Sequence, residues 1–306
     1  MAPPPKRKRE DASASAATGA SDCASCSSCH PPCSPPPASP PPPPAQTFHR
    51  RALPDECVAF SSDEGRRLFA DAIAGSFMRV YFPLAEQFTT QAEPAFCGLA
   101  TLAMCLNALH IDPGRLWKGS WRWFSEELLD CCTPLSVAKQ QGVSFAQFVC
   151  LARCNGALAR GVRADSALSL DAFREYVKRS CASSDELVVL NYTRKALAQT
   201  GDGHFSPVGG YNEASDMLLL LDVARFKYPP HWVRLPLVFE ALQCVDTSSG
   251  LPRGLVLLSE NKDMSGPTPA NQLIQARAMA ALNEEQAAYP TCCSSAAAVS
   301  SAAVAT

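Results

Sequence analysis

One cysteine stands where a helix is predicted to begin, and its thiol is the strongest candidate for a nucleophile. Cys97 follows Pro94 by three residues, and proline is tolerated at or before a helix start because it lacks a backbone N–H. The unpaired N–H groups and the dipole of a first helical turn favour an anion, so a thiol there ionises more readily. Gln91, six residues before Cys97, offers an amide that could help to hold an oxyanion. The alternative interpretation is a buried cysteine on a core helix.

A histidine and an aspartate further along the chain are candidates for a base and the group that orients it. One apolar run begins at His204 and another ends at Asp222, and the polar link at residues 212–216 predicts a hairpin between them. Antiparallel pairing would bring His204 and Asp222 together, and a carboxylate holds an imidazole in one tautomer. The chain order Cys, His, Asp, with the nucleophile on a helix and the base on strands, is typical of papain-like cysteine peptidases.

Other cysteines suggest metal binding. A helix predicted from Ser144 places Cys150 and Cys154 four residues apart on one face, and Cys131 and Cys132 precede that helix. These four thiols could hold a soft metal ion, but without a histidine pair they could equally be small core residues. A further C-x₂-C-x₂-C-x₃-C run at residues 23–33 has a ferredoxin-like spacing without the proline that follows it there. Adventitious cation binding, or no function, explains that run better.

Composition narrows the class of protein. The chain has 306 residues, 47% of them hydrophobic, with a net charge of −2, so no global field points to nucleic acid or to a membrane surface. Fifteen cysteines, an odd number, argue with the polar N-terminus against a secreted disulfide framework. We therefore expect a cytoplasmic protein with thiols available for catalysis or metals. The basic run at residues 6–9 is readable as a nuclear signal or as solvated charge.

The elements that position these side chains change character along the chain. Residues 1–46, rich in proline, serine and cysteine, are predicted to be a disordered tail. Residues 47–265 read first as helices, one with an apolar stripe after Cys97, and then as strands, so an α+β fold is predicted. The tryptophan-rich segment at residues 117–124 is most readily explained as core, or as a ligand wall. Residues 266–306 are predicted to form a short helix near residues 271–289 and a disordered alanine and serine tail.

Longer stretches around these residues resemble one enzyme family, the phytochelatin synthases. The similarity extends over about residues 48 to 262 and rests on several long motifs in the same order as in the family. The motifs are QAEPAFCGLA at 91–100, WKGSWRWF at 117–124, LDCC at 129–132, GHFSPVGGY at 203–211 and LDVARFKYPPHW at 221–232.

The resemblance implies a papain-like fold, with a helical lobe carrying the nucleophile packed on an antiparallel β lobe carrying histidine and aspartate. It implies transfer of the γ-glutamylcysteinyl unit of glutathione onto a second glutathione or a growing phytochelatin, with release of glycine. By motif match Cys97 is the nucleophile, His204 the general base and acid, Asp222 its orienter and Gln91 the oxyanion donor. The resemblance further associates four residues with substrate binding: Arg225, Arg194, Lys227 and Tyr228.

The resemblance also implies partners. Cd²⁺ or Zn²⁺ is expected as the activating ion, bound to the thiolate sulfur of the acceptor glutathione. No covalently bound cofactor is expected. Members of the family include dimers, so a homodimer is a further expectation. From the residues after 262 we expect the chain to lack the cysteine-rich C-terminal domain of the long plant form, which is associated in the family with stability and breadth of metal response.

Three functions remain open from the sequence. The transpeptidase is favoured by Arg225, Lys227 and the tryptophan-rich segment. A hydrolase that removes glycine from glutathione without transfer would share the same triad. A thiol-rich metal binder without enzymatic activity would tolerate replacement of Cys97, whereas both enzymes would lose their activity.

Overall fold

The computed structural model describes residues 48–264 and residue 280. The predicted N-terminal tail, its cysteine run, the C-terminal alanine and serine tail and, apart from residue 280, the predicted helix near residues 271–289 lie outside these described residues. In the described part the α-helices are α1 (Asp63–Ala74), α2 (Tyr81–Glu86), α3 (Cys97–Ala108), α4 (Leu135–Gln141), α5 (Phe145–Cys154), α6 (Leu170–Cys181) and α7 (Leu235–Gln243). The strands are β1 (Cys57–Ala59), β2 (Ala157–Arg163), β3 (Glu186–Thr193), β4 (Gly203–Asn212), β5 (Met217–Leu220), β6 (His231–Arg234), β7 (Val245–Asp246), β8 (Leu251–Pro252) and β9 (Gly254–Glu260).

The main sheet contains seven strands in the order β1-β6-β5-β4-β3-β9-β2, and every neighbouring pair is antiparallel. The predicted hairpin is confirmed as β4 and β5, paired from Asn212 opposite Met217 to Val208 opposite Leu220. The register shifts between Val208 and Gly210, so Gly209 lies in a bulge, where an added Cβ would come within 2.6 Å of the Leu221 side chain. The α+β fold is confirmed.

Helix α3 crosses this sheet as a central core element. The leucine spacing predicts one apolar stripe, but the helix is buried on all sides after Cys97, from Gly98 to Ala108. It lies close to β4, where the Thr101 hydroxyl donates to the backbone carbonyl of Phe205 at 3.2 Å. At Gly98 a Cβ would come within 3.3 Å of the Phe205 ring and 2.4 Å of Val143, so only glycine allows this close approach. The packing fixes the start of α3 beside the start of β4.

The tryptophan-rich segment differs from its predicted place in the core. Trp121 is 73% exposed, and Trp117 and Trp123 are also exposed, whereas only Phe124 turns inward. The Asn107 side chain holds the backbone of Phe124 from both sides, donating to its carbonyl at 2.9 Å and accepting from its N–H at 3.1 Å. One aromatic residue therefore anchors the segment, and the tryptophans remain at the surface.

None of the helices in the described part of the chain combines the length and the apolar character that a membrane crossing requires.

Candidate active site

Cys97 is the first residue of α3, as the proline predicts, and it lines a cleft of about 760 Å³. The loop before it is tied down by two acidic side chains. The Glu126 carboxylate accepts the Ala92 N–H at 3.0 Å, and Glu93 pairs with Lys139 at 2.6 Å. The thiol is partly accessible from the cleft. A nucleophile is thus presented at a helix tip on a restrained loop.

His204 and Asp222 meet Cys97 at this position. His204 Nε2 lies 2.8 Å from Asp222 Oδ1, so the ring nitrogen left for the thiol of Cys97 is Nδ1, and both Cys97 and His204 line the cleft. His204 opens β4, and Asp222 follows β5 by two residues, so the hairpin brings the two side chains together. Both are buried. The packing of α3 on β4 brings Cys97 and His204 together, although more than one hundred residues separate them in the sequence.

The electrostatics favour a thiolate and an imidazolium. Burial opposes ionisation of Cys97, but the positive charge of His204 and its hydrogen bond outweigh burial, so the pKa of Cys97 is lowered. Burial and the charge of Arg194 oppose protonation of His204, yet the charges of Asp222 and Cys97 outweigh them, and the pKa of His204 is raised. The pKa of Asp222 is lowered despite its burial, because His204 and Arg194 lie beside it.

Arg194 lies behind the triad rather than free in the cleft. Its Nη2 atom is 2.7 Å from Asp222 Oδ2 and 2.9 Å from His204 Nε2, and its Nη1 atom donates to Gln199 Oε1 at 2.5 Å. The side chain is 4% exposed. Both terminal nitrogens of the predicted substrate-binding arginine are therefore engaged with protein groups at the base of the cleft.

Gln91 also lines the cleft, but its amide is turned toward the backbone. Nε2 donates to the carbonyls of Glu93 and Pro94, both at 2.8 Å, while Oε1 is buried with no hydrogen-bond partner. Gln91 must release one of these carbonyls before it can donate to an oxyanion.

The other predicted substrate-binding residues fall in different places. Lys227 lines the cleft, with Nζ donating to the carbonyl of Thr200 at 2.6 Å. Tyr228 is buried, and its hydroxyl accepts the Thr200 N–H at 2.9 Å. Arg225 is exposed, with its guanidinium 4.8 Å from the centre of the Phe88 ring. Among the described residues that line the cleft, neither Tyr228 nor Arg225 is found.

Several polar residues of the cleft escape prediction from the sequence. Asn191 Oδ1 and Arg253 Nε are buried with no hydrogen-bond partner, while Arg253 Nη2 donates to Asp202 at 3.2 Å and lies 3.7 Å from Asp246. At the other side the cleft is lined by Arg50 and Arg51. Unpartnered buried polar atoms beside a cleft mark sites where a ligand can bind. No spacing signal distinguishes these residues in the sequence, because they lie on loops and strand ends far apart along the chain.

The four predicted metal-ligating cysteines lie together, in a cluster formed by Cys131, Cys132, Cys150 and Cys154. The sulfur of Cys132 is 3.9 Å from Cys131 and 3.7 Å from Cys154, and Cys150 is 3.9 Å from Cys154. Hydrogen bonds from neighbouring thiols, that of Cys132 first, lower the pKa of both Cys131 and Cys150. Tetrahedral Zn²⁺ with Zn–S bonds of about 2.3 Å requires sulfurs about 3.8 Å apart. The sulfurs of Cys131, Cys132 and Cys154 all lie within 4.8 Å of one another, so these three could hold one thiophilic ion, and Cys150 adjoins them through Cys154.

The fold and the meeting of Cys97, His204 and Asp222 at one cleft define a papain-like α+β protein. Residues 48–255 match the family described as phytochelatin synthase, which is more than half of the chain. The chain belongs to the phytochelatin synthase family, and the resemblance noted in the sequence is confirmed.

The chain is also similar to curated proteins that are named glutathione gamma-glutamylcysteinyltransferases. The chain is similar to glutathione gamma-glutamylcysteinyltransferase 1 of Triticum aestivum, with 52% identity over 214 residues, 70% of this chain and 43% of the relative. It is also similar to the glutathione gamma-glutamylcysteinyltransferase of Schizosaccharomyces pombe, with 49% identity over 213 residues, 70% of this chain and 51% of the relative. The chain spans about half the length of the curated relatives that it matches.

Proposed function

We propose that the protein is a γ-glutamylcysteine dipeptidyl transferase that makes phytochelatins from glutathione through a thioester on Cys97. The observation that carries this proposal is the presence of Cys97 and His204 on one cleft, with Asp222 at 2.8 Å from His204, in a member of the phytochelatin synthase family. Free thiols of this kind require a reducing compartment, and we place the protein in the cytoplasm.

The first half-reaction forms the acyl-enzyme. The Cys97 thiolate attacks the carbonyl carbon of the cysteinyl-glycine bond, and the C–N bond breaks as His204 Nδ1 gives its proton to the departing amine of glycine. The Cys97 N–H, in the first turn of α3, donates to the oxyanion, and Gln91 becomes a second donor once it releases one backbone carbonyl. Each such donor contributes about 3 kcal/mol.

The cleft supplies groups for the γ-glutamyl end of the donor. Its α-carboxylate would pair with the buried guanidinium of Arg253, its α-amino group with the carboxylate of Asp246, and its amide N–H with Asn191 Oδ1. Arg253 and Asn191 each present a buried polar atom that lacks a partner in the protein. A buried arginine beside a carboxylate matches a zwitterionic amino acid head better than it matches either charge alone.

The second half-reaction requires an acceptor amine. The α-amino group of a second glutathione attacks the thioester carbonyl, His204 takes its proton, and the C–S bond breaks to restore the Cys97 thiolate. Arg50, Arg51 and Lys227 line the cleft and would hold the carboxylates of this acceptor. We propose that the acceptor thiol carries Cd²⁺ or Zn²⁺ as substrate, which keeps the thiol from competing with the amine as nucleophile.

We further propose that the four-cysteine cluster binds one thiophilic ion, separately from the substrate metal. The support is geometric, since the sulfurs of Cys131, Cys132 and Cys154 all lie within 4.8 Å of one another and the sulfur of Cys150 is 3.9 Å from that of Cys154. A dimer, expected from the resemblance, remains a proposal that size measurement would test.

The test is incubation of the protein with glutathione and Cd²⁺, followed by separation of the products by mass. Oligomers of γ-glutamylcysteine ending in one glycine, formed together with free glycine, support transfer. Free glycine with monomeric γ-glutamylcysteine alone would identify a hydrolase, and no glycine release would leave a metal-binding protein. Cys97→Ser is the loss-of-function control, and Cys244→Ser, at an exposed cysteine, is the matched control that should react normally.

A further inference from the structure

We infer that Gln199 and His231 are positioning residues that hold Arg194 against Asp222, and through Arg194 keep the thiol of Cys97 ionised. Both residues are buried, and His231 is fully so. Neither carries chemistry in the proposed reaction, and neither belongs to the triad.

The donor and the acceptor of each hydrogen bond behind the triad can be assigned, starting from His231. His231 Nδ1 lies 2.8 Å from the carbonyl oxygen of Pro229, and a carbonyl can only accept, so Nδ1 carries the hydrogen. A neutral His231 then offers the lone pair of Nε2, which accepts from Gln199 Nε2 at 2.9 Å. The Gln199 amide is thereby oriented with Oε1 toward Arg194, whose Nη1 donates to it at 2.5 Å. This series of bonds, from Arg194 through Gln199 and His231 to Pro229, is the relay.

No other assignment satisfies the same atoms. Turning the Gln199 amide over would set its two N–H donors against the donors of Arg194 and leave Oε1 facing the lone pair of His231 Nε2. Protonating His231 would likewise set two donors against each other at 2.9 Å. The relay therefore requires a neutral His231, and burial lowers the pKa of His231, with the charges of Arg194 and His204 acting in the same direction and Asp222 opposing them. The Cys57 thiol also faces Gln199 Nε2, at 3.7 Å.

The relay matters to the reacting atoms through the charge of Arg194. Arg194 Nη2 contacts both oxygens of Asp222, at 3.0 and 2.7 Å, and its charge adds to the larger effect of His204 in lowering the pKa of Cys97 against burial. Without the Gln199 acceptor, Nη1 would be a buried donor without a partner, and the guanidinium would be drawn away from Asp222. The thiol of Cys97 would then ionise at higher pH.

The experiment follows alkylation of Cys97 by iodoacetamide as a function of pH, with the Cys97 peptide quantified by mass spectrometry. Gln199→Met and His231→Leu should each move the midpoint to higher pH by about half a unit or more. The double variant should move it no further than the larger single shift, because both break one relay. His231→Gln, which keeps an acceptor near the position of Nε2, should stay at the wild-type midpoint. Ser180→Ala, which loses a buried hydrogen bond to Glu186, should also stay there.

A merely structural role would lower the melting temperature of Gln199→Met and leave the alkylation midpoint of the folded protein unchanged, and that result would overturn the inference. Because substitutions at buried sites can prevent folding, a wild-type measurement accompanies them. Nitrogen NMR of ¹⁵N-histidine-labelled protein should show His231 neutral and protonated at Nδ1, and protonation at Nε2 would also overturn the inference. Alkylation needs no glutathione, so failure of the proposed transferase activity would leave this result readable.

Discussion

Two thiol environments in the described part of the protein differ in what surrounds the sulfur: that of Cys97 and that of the four-cysteine cluster. Cys97 stands at a helix start beside His204, whose positive charge outweighs the effect of burial and lowers the pKa of the thiol. In the cluster the sulfurs of Cys131, Cys132, Cys150 and Cys154 lie next to one another, and the Asn155 amide donates to Cys131 at 3.5 Å. The thiol of Cys97 therefore has a cationic imidazole as its neighbour, whereas the thiols of the cluster have other thiols as neighbours.

This difference separates two chemistries. A thiolate that is stabilised by a neighbouring cation, beside an open cleft, can attack a substrate carbonyl. Thiols packed against each other gain most when one ion replaces their hydrogens and neutralises several sulfurs at once. We therefore expect substitutions at Cys97 to act on the reaction and substitutions in the cluster to act on metal binding.

Cys97→Ser is expected to have the largest effect. Replacing the sulfur removes the thiolate and its thioester, so glycine release from glutathione should fall by about 10³-fold or more. Cys154→Ser, tested under the same conditions, should still form the acyl-enzyme. Equal losses in the two variants would erase the distinction between the two environments.

Asp222→Asn should reduce the rate of glycine release by about 10²- to 10⁴-fold, because His204 loses the carboxylate that sets its tautomer. Removal of one member of a buried ion pair also leaves Arg194 uncompensated, which should lower the free energy of unfolding by about 3–5 kcal/mol. Since the pKa of Asp222 is depressed, its contribution is present above about pH 3.9 and lost as the pH falls toward the native value. When urea unfolding is measured over a series of pH values, the free energy of unfolding should therefore fall less steeply at acidic pH in the variant than in the wild type.

The pH dependence of acylation should be bell-shaped in the wild type. The lowered pKa of Cys97 places the rise on the acidic side, and the raised pKa of His204 places the fall where the imidazolium loses its proton. For stability, the Cys97 contribution is present above about pH 8.5 and lost as the pH falls through its folded pKa. The His204 contribution is fully present below about pH 6.5 and lost as the pH rises through its folded pKa. A single-turnover pH series checks the first statement, and a profile without a descending limb would contradict it.

Joint replacement of Cys150 and Cys154 by serine should remove one tightly bound Cd²⁺ per chain. The loss should be visible as a smaller ultraviolet thiolate-to-metal charge-transfer band in a titration. The pH midpoint for alkylation of Cys97 should stay where it is, because the groups that lower the pKa of this thiol against burial are His204, the Phe205 backbone and Arg194. An unchanged Cd²⁺ stoichiometry would contradict the proposal that the cluster binds this ion.

The smallest effect is expected from Ser144→Ala. The Ser144 hydroxyl accepts the Gln147 N–H at 3.2 Å, and the Gln147 side chain accepts the Ser144 N–H at 2.8 Å, which forms a capping box at the start of α5. Loss of the cap should cost about 1 kcal/mol in the free energy of unfolding. Chemical denaturation measures this change in the free energy of unfolding. A loss of Cd²⁺ binding free energy larger than the loss of unfolding free energy would show that the start of α5 controls the position of Cys150 and Cys154.

Local patterns in the sequence predict most of the elements that carry the site. The proline before Cys97 and the polar link between β4 and β5 give the helix start and the hairpin, because both are short-range signals. The exposure of Trp121 and the all-round burial of α3 could not be predicted, since both depend on which faces the rest of the chain covers. The contact of Arg194 with Asp222 could not be predicted either, because it also depends on the tertiary fold, and substrate binding by Arg194 stays a prediction.

The most direct test of the central claim is to trap the acyl-enzyme. The protein is mixed with glutathione, quenched in acid within one turnover and digested, and each cysteine-containing peptide is weighed. Our account predicts the added mass of one γ-glutamylcysteinyl unit on the peptide that contains Cys97, in step with the release of one glycine per chain. Glycine released without that adduct, or an adduct on a cysteine of the four-cysteine cluster, would contradict it.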